Sequence, residues 1–275
     1  MSQPPVAGQR VYRHSIAARV THWLWALALL VLVMSGLQIF NAAPYLDASD
    51  KSDPTRRVLS FDAHQTATGA NVGTTTIFGH TFVTTHAFGY TDDGQGGEEQ
   101  RAFPGAVTLP ATQDLADGRV WHFFFGWVLV LSIVTYIVVG AVRKDLRELI
   151  LRPSDIPKLL PMQLYYFHLR KEPPPHGTYN PLQKAAYTVV LFVFLPLIII
   201  TGLALSPGID AIAGPLTWLL GGRQFARTWH FVLMVLLIGY FCTHMVLVFS
   251  TGAWNNIRSM ITGWYKLKEH DGVGV

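Results

Sequence analysis

Four stretches of this chain stay apolar for about twenty residues each, and they constrain its fold more than anything else in the sequence. They run roughly Val20–Phe40, Val120–Val142, Ala185–Leu205 and Thr228–Phe249. A helix rises about 1.5 Å per residue, so each stretch can cross about 30 Å of hydrocarbon. Composition agrees: half of the 275 residues are hydrophobic and 14% are charged, too apolar a balance for a soluble domain of this size. The expected fold is all-α and membrane-integral: one domain over residues 1–275, built as a four-transmembrane-helix bundle with a long insertion at 41–119. A cleaved signal peptide ending near Ala42-Ala43 is the rival reading of the first stretch. Its length exceeds a typical signal-peptide core and favours a retained span.

A formal charge of +4 raises the question of nucleic acid, but the basic residues form no patch. They are sorted by loop. The connection at about 143–184 carries Arg143, Lys144, Arg147, Arg152, Lys158, Arg170, Lys171 and Lys184, whereas the 41–119 insertion carries Asp92, Asp93, Glu98 and Glu99 in a cluster. The positive-inside rule then puts both termini and the 143–184 loop in the cytoplasm and the insertion in the periplasm of a bacterium. The expectation is a multi-pass inner-membrane protein with no nucleic-acid partner.

Histidines lie within these spans. His22 enters the first at its cytoplasmic end, His122 and His230 enter the second and fourth at the periplasmic end, and His244 lies near the cytoplasmic end of the fourth. Ionisable groups at such depth are costly and mark working sites. His230 and His244 are 14 residues apart, which sets them about 40° from a common face and about 21 Å apart along one helix. Matching by depth gives two pairs, His122 with His230 and His22 with His244. Haem iron takes axial imidazoles within an apolar slot. Two non-covalent b haems suit the number and depth of these residues. The single cysteine, Cys242, excludes a covalent C-x-x-C-H attachment, a disulfide framework and a cysteine-rich metal site. It falls about 200° around the helix from His244 and is expected to face away.

Three of the four histidines follow an arginine by three residues: RVTH at 19–22, RVWH at 119–122 and RTWH at 227–230. Arg19, Arg119 and Arg227 stand one turn nearer the membrane surface on the same side of the helix. From there a guanidinium can reach a carboxylate such as a haem propionate. Arginine and tryptophan at a span's mouth are also ordinary interfacial anchors, and both readings stay open. Gly36 follows His22 by 14 residues and would let a flat ring approach the backbone at the depth of the outer pair. Ser35-Gly36-Leu37 and Thr201-Gly202-Leu203 occupy equivalent ends of spans one and three, as in a diverged repeat, although helix packing explains such glycines as well.

With Tyr179-Asn180-Pro181-Leu182-Gln183-Lys184 ahead of span three, this histidine frame resembles the prokaryotic cytochrome b561 superfamily. That superfamily includes cytochrome subunits of nickel–iron hydrogenases, formate dehydrogenases and thiosulfate reductases. The resemblance covers roughly residues 10–265 apart from the outer insertion. The 179–184 phrase is similar to the Tyr-Asn-x-x-Gln-Lys motif of the formate dehydrogenase gamma and thiosulfate reductase cytochrome b branch. The resemblance implies two b haems, paired as above, and a quinone headgroup beside the inner haem near Asn180, Gln183 and His244. Amides suit quinone carbonyls. An Asn followed by Pro is equally a good helix N-cap, and Pro181-Leu182 stands where that branch often has small residues.

The implied role is a carrier of electrons between the quinone pool and a periplasmic oxidoreductase, by analogy of the molybdenum type. No residue is assigned to substrate catalysis, and any enzymatic activity would be quinone or quinol redox. A hydrogenase cytochrome subunit is the alternative within the superfamily. A histidine-relay proton channel or transporter is the alternative outside it; that class predicts intramembrane carboxylates or broken helices, and Pro196 is the sole helix breaker in the spans. In the 41–119 insertion, a β-branched run at 74–85 is expected to form a hairpin turning at Phe78-Gly79-His80. The insertion is assigned to docking the outer partner. Its His64, His80 and His86 have no metal-ligand spacing. Arg143–Leu151, ahead of Pro153, Pro157 and Pro161, is read as an amphipathic segment on the membrane surface.

Overall fold

Continuous apolar sequence becomes helix because a backbone crossing lipid must satisfy its own hydrogen bonds. The computed structural model describes residues 8–143, 146–177 and 179–267. Among these, four helices are long and apolar enough to cross a membrane: α1 (Ile16–Asn41), α2 (Leu115–Arg143), α3 (Pro181–Leu205) and α4 (Arg223–Ser250). Each begins a few residues before the apolar stretch that announced it. The rest of the chain buries only 28, 22, 22 and 11% of their most apolar windows. Val20, Leu24, Leu27 and Leu30 of α1 and Phe124, Leu131, Val134 and Val138 of α2 are exposed. A soluble amphipathic helix would turn such a stripe inward; these faces fit a lipid environment.

The helix α3 is not uniform. It is regular over Pro181–Val189, widens into a π-helical turn at Val190–Phe194, and resumes at Leu195–Leu205. Pro196 explains the position. A proline lacks an amide hydrogen and its ring crowds the carbonyl four residues back, here on Phe192 inside the widened turn. The break at Pro196 therefore takes the form of a π-bulge.

The chain divides into two compact units. The first comprises Met1–Trp23, Ser132–Pro196 and Leu236–Val275. Within its described residues, β1 (Arg10–Tyr12) pairs antiparallel with β8 (Trp264–Lys266). A short amphipathic helix, α5 (Ala253–Thr262), leads into β8. The basic loop is tied to the start of α3, where Lys184 meets Asp155 at 3.1 Å and the Thr188 hydroxyl accepts from the Leu151 amide at 2.8 Å. Of the residues expected to form a surface segment there, Lys144 and Asp145 lie outside the described ones; Leu146–Leu149 is a single helical turn.

The second unit comprises Leu24–Leu131 and Leu197–Val235 and contains the 41–119 insertion. The expected hairpin is present, as β4 (Asn71–Ile77) and β5 (His80–Val83). Its turn is shorter than anticipated: Ile77 pairs with His80, leaving Phe78 and Gly79 at φ 47° and 82°. Positive φ at both central residues is what a two-residue type I′ hairpin requires. The hairpin is half of a four-stranded antiparallel sheet, ordered β2 (Tyr45–Asp47), β3 (Arg57–Gln65), β4, β5. A second hairpin joins β6 (Gly89–Asp92) to β7 (Glu98–Arg101).

The insertion shares its core with the helices. Phe40 at the end of α1, Leu46, Phe61 and Ala102 form one buried cluster, with Phe103 and Phe231 packed against it. Arg101 is wholly buried. It donates to Gln38 Oε1 at 3.1 Å, Thr108 Oγ1 at 3.0 Å and the carbonyls of Phe103 and Ala111 at 2.8 and 2.9 Å. A guanidinium out of water must use its fixed fork of donors, and here the fork ties β7 to the last turns of α1.

Candidate functional site

Each compact unit holds one pair of the histidines singled out in the sequence. In the second unit His122 of α2 faces His230 of α4, with ring centroids 6.2 Å apart and planes at 67°. In the first, His22 of α1 faces His244 of α4 at 6.3 Å and 56°. Two imidazoles bound to opposite sides of one metal, at bonds of about 2.0–2.1 Å, bring their ring centroids to about 6.3 Å. Both pairs match that spacing, as axial ligation of a haem iron requires. Among the described residues no third His, Cys, Asp or Glu joins either pair. The remaining coordination positions would fall to the macrocycle, which suits a haem better than a protein-only metal site.

The second unit is built with an internal symmetry. Ser35 Oγ lies 3.1 Å from His122 Nδ1 and donates to the Val31 carbonyl at 2.6 Å. Thr201 Oγ1 lies 2.9 Å from His230 Nδ1 and donates to the Leu197 carbonyl at 2.8 Å. A hydroxyl has one proton. With that proton turned to the carbonyl four residues back, each hydroxyl accepts from the imidazole. Both Nδ1 atoms therefore carry hydrogen, and both Nε2 atoms keep the lone pair that a metal needs.

The next residue in each helix is the glycine of the repeated phrase. A Cβ on Gly36 would stand 3.3 Å from His122 Cε1, and one on Gly202 3.2 Å from His230 Cε1. Gly36 was expected to admit a flat cofactor ring. The flat ring it admits is the imidazole of His122, which α2 brings across the gap. Ser35 and Thr201 stand in the same repeated phrases, where sequence alone gives them no role. The signal was a hydroxyl residue before glycine at equivalent positions in the two helices that lack a histidine there.

The first unit is furnished differently. Trp23 packs edge-on to His22 at 5.3 Å and donates from Nε1 to the Met260 carbonyl at 3.0 Å. Tyr240 stacks on His244 at 6.0 Å and 23°. Among the described residues His22 Nδ1 is buried with no hydrogen-bond partner. His14, just ahead of α1, is pushed down to about 4 by burial and then by the Arg13 guanidinium, so it is neutral at physiological pH.

The three arginines divide. Arg19 donates to the Ile261 carbonyl while its Nε is buried without a partner among the described residues. Arg119 is exposed and lies over its own helix neighbour Phe123. Arg227 donates to the Ala43 carbonyl and lies over the rings of Phe40 and Tyr45, so it secures the start of the insertion whatever else it binds.

Asn180 and Gln183 form a capping box: Asn180 Oδ1 accepts from the Gln183 amide at 2.9 Å, and Gln183 Oε1 accepts from the Asn180 amide at 3.1 Å. Asn180 Nδ2 also donates to Tyr166 at 3.0 Å, and burial raises the Tyr166 phenol further above its ordinary range. The N-cap reading is thus seen directly. It leaves both Gln183 side-chain amide hydrogens, and the second one on Asn180 Nδ2, to address a carbonyl. Cys242 is exposed. In the insertion His86 pairs with Glu98, whose carboxylate its Nδ1 meets directly.

Comparison with known proteins follows the same lines. The family model of the prokaryotic cytochrome b561 matches residues 13–263. A putative protein-methionine-sulfoxide reductase subunit, YedZ1, of Azospira oryzae is 25% identical over 236 residues, covering 84% of this chain and 86% of that protein. Four membrane-spanning helices, imidazole pairs at the spacing of axial ligands and a family match across nearly the whole length agree. The chain belongs to the prokaryotic cytochrome b561 family, the membrane cytochromes that carry b-type haem in electron transport.

Proposed function

We propose that the protein is a di-haem cytochrome b that passes electrons between the quinone pool and an oxidoreductase on the periplasmic face. His122 and His230 hold one haem and His22 and His244 the other. The observation that carries the reading is the equality of the two ring separations, 6.2 and 6.3 Å, in two differently furnished sites. When bound, haem supplies a one-electron iron couple and quinone a two-electron, two-proton couple. The chain's own residues orient imidazoles, exclude water with apolar walls and neutralise carboxylates. Arg19, with an unused buried Nε, is the best-disposed propionate partner; Arg119 and Arg227 are proposed for the outer haem.

The quinone is proposed to lie beside the inner pair, its carbonyl taking a hydrogen from Gln183, with Asn180 holding that amide in place through the capping box. The 179–184 phrase favours the formate dehydrogenase and thiosulfate reductase branch. The name of the Azospira relative favours a reductase as partner, with electrons flowing outward from quinol. The sorting of charge between the 143–184 loop and the insertion supports cytoplasmic termini and a periplasmic insertion, one domain serving both haems. The insertion is the proposed docking surface.

The test is a dithionite-reduced minus oxidised spectrum of purified protein with pyridine haemochrome quantification. Expected are about two b haems per chain, one lost in His122→Ala and the other in His22→Ala. Protein made with ample haem that binds none would sink the proposal and move a histidine relay to first place.

A further inference from the structure

We propose that Ser35 and Thr201 are positioning residues that set the redox potential of the outer haem alone. The inference rests on the reading of His122 and His230 as ligands. Each hydroxyl fills the same place in its own helix: it donates to the carbonyl four residues back and accepts from a histidine Nδ1, at 3.1 Å for Ser35 and 2.9 Å for Thr201. Each is followed by a glycine on which that imidazole rests. The ring is therefore gripped twice, by a flat backbone surface against one edge and a hydrogen bond at Nδ1. Rotation about the Cβ–ring bond would break the second grip and collide with the first.

A hydrogen bond accepted from Nδ1–H makes the opposite nitrogen a stronger donor. A stronger axial donor stabilises ferric over ferrous iron and lowers the potential. Both outer ligands carry this bond. Among the described residues His22 Nδ1 has none and is buried, so the inner iron lacks the same pull on that side. Two haems ligated by the same residue type in one chain thus acquire different potentials from two hydroxyl groups. Removing the hydroxyls leaves both imidazoles and their helices in place, so the haem should stay bound while the donation weakens.

The experiment is a potentiometric titration of both haems in detergent-purified Ser35→Ala, Thr201→Val and the double variant, with haem counted in each. Expected is a rise in one midpoint, seen as roughly a threefold to tenfold higher ferrous-to-ferric ratio at fixed ambient potential. Tenfold corresponds to about 59 mV for a one-electron couple. The double variant should move furthest and the second haem should not move. Ser35→Thr and Thr201→Ser, which keep a hydroxyl, should titrate like the parent. Two retained haems with unshifted midpoints in the double variant would overturn the assignment while leaving the ligand reading intact. If Ser35→Ala loses one haem and Ser35→Thr restores it at the parental midpoint, the hydroxyl is upheld. If Ser35→Thr loses it too, packing rather than the hydrogen bond is the cause and the assignment falls. Parent protein without haem would overturn the ligand reading and this inference together.

Discussion

At the scale of single residues, the outer histidine pair depends on what its neighbours lack as much as on what they have. Gly36 and Gly202 leave room for an imidazole edge that a Cβ would meet at 3.2–3.3 Å. Alanine there demands a shift of a few tenths of an ångström; a branched side chain cannot be accommodated. Gly36→Val should therefore leave about one haem per chain by pyridine haemochrome, with the remaining spectrum that of the inner site. Retention of both haems would show that the ring has another place to go. Arg101 makes a different prediction. Its fork serves Gln38, Thr108 and two backbone carbonyls in a buried place, and truncation strips several acceptors of their donor at about 1–3 kcal/mol for a buried unsatisfied group. Arg101→Ala should open the insertion to limited proteolysis at temperatures where the parent resists, while α1 to α4 stay protected. The histidines were legible from the sequence because depth and spacing need no tertiary information. Ser35 and Thr201 were not, because a helix offers serine and threonine a home against the i−4 carbonyl, and only the facing helix reveals the second hydrogen bond.

At the scale of elements, the start of α3 combines two tasks in one box. Gln183→Glu keeps the capping acceptor at the third helical position but removes the amide hydrogens offered to a quinone. It should leave thermal stability within about 0.5 kcal/mol of the parent and abolish haem reduction by a quinol analogue. Asn180→Ala should cost about 1 kcal/mol as a lost N-cap, with unchanged haem content. A Gln183→Glu variant reduced by quinol at the parental rate would remove Gln183 from the site. The tie between the basic loop and α3 carries a pH signature. Burial alone would raise the Asp155 carboxyl, but the Arg152 amide and the Lys184 ammonium outweigh it and hold the pKa below the ordinary value. A carboxyl depressed in the fold stabilises it above the unfolded pKa, about 3.9, and loses that contribution as pH falls through the folded value. Melting followed from pH 6 downward should show the parent losing stability below about pH 4, and Asp155→Asn should lose less of it there. The spans were readable because continuous apolar sequence has few alternatives; of the π-turn before Pro196, the sequence showed only the helix breaker. Of the insertion, the β4–β5 hairpin was foreseen because a hairpin is local. The β2–β3 and β6–β7 pairings were not, since short strands of mixed polarity acquire their partners from long-range packing.

For the molecule as a whole, charge placement and core placement make separate statements. Basic residues crowd the 143–184 loop and acidic ones the insertion, and reporter fusions at the C-terminus and within 91–97 should report opposite sides of the membrane. A reporter result placing both on one side would overturn the proposed topology. The insertion is anchored by Phe40 and Phe231 in its core and by Arg101 on Gln38. It is part of the floor on which the outer histidine pair stands, and deleting it is expected to cost the outer haem as well as any docking. On the proposed topology this has a consequence for biogenesis. While the chain is being inserted, the segment between α1 and α2 must cross before α2 can span, and α4, which brings both His230 and His244, arrives last. The inner pair needs only helices, whereas the outer pair awaits a translocated β structure as well. Maturation would then run from the cytoplasmic side outward, and a chain whose exported insertion fails to fold would be a one-haem species.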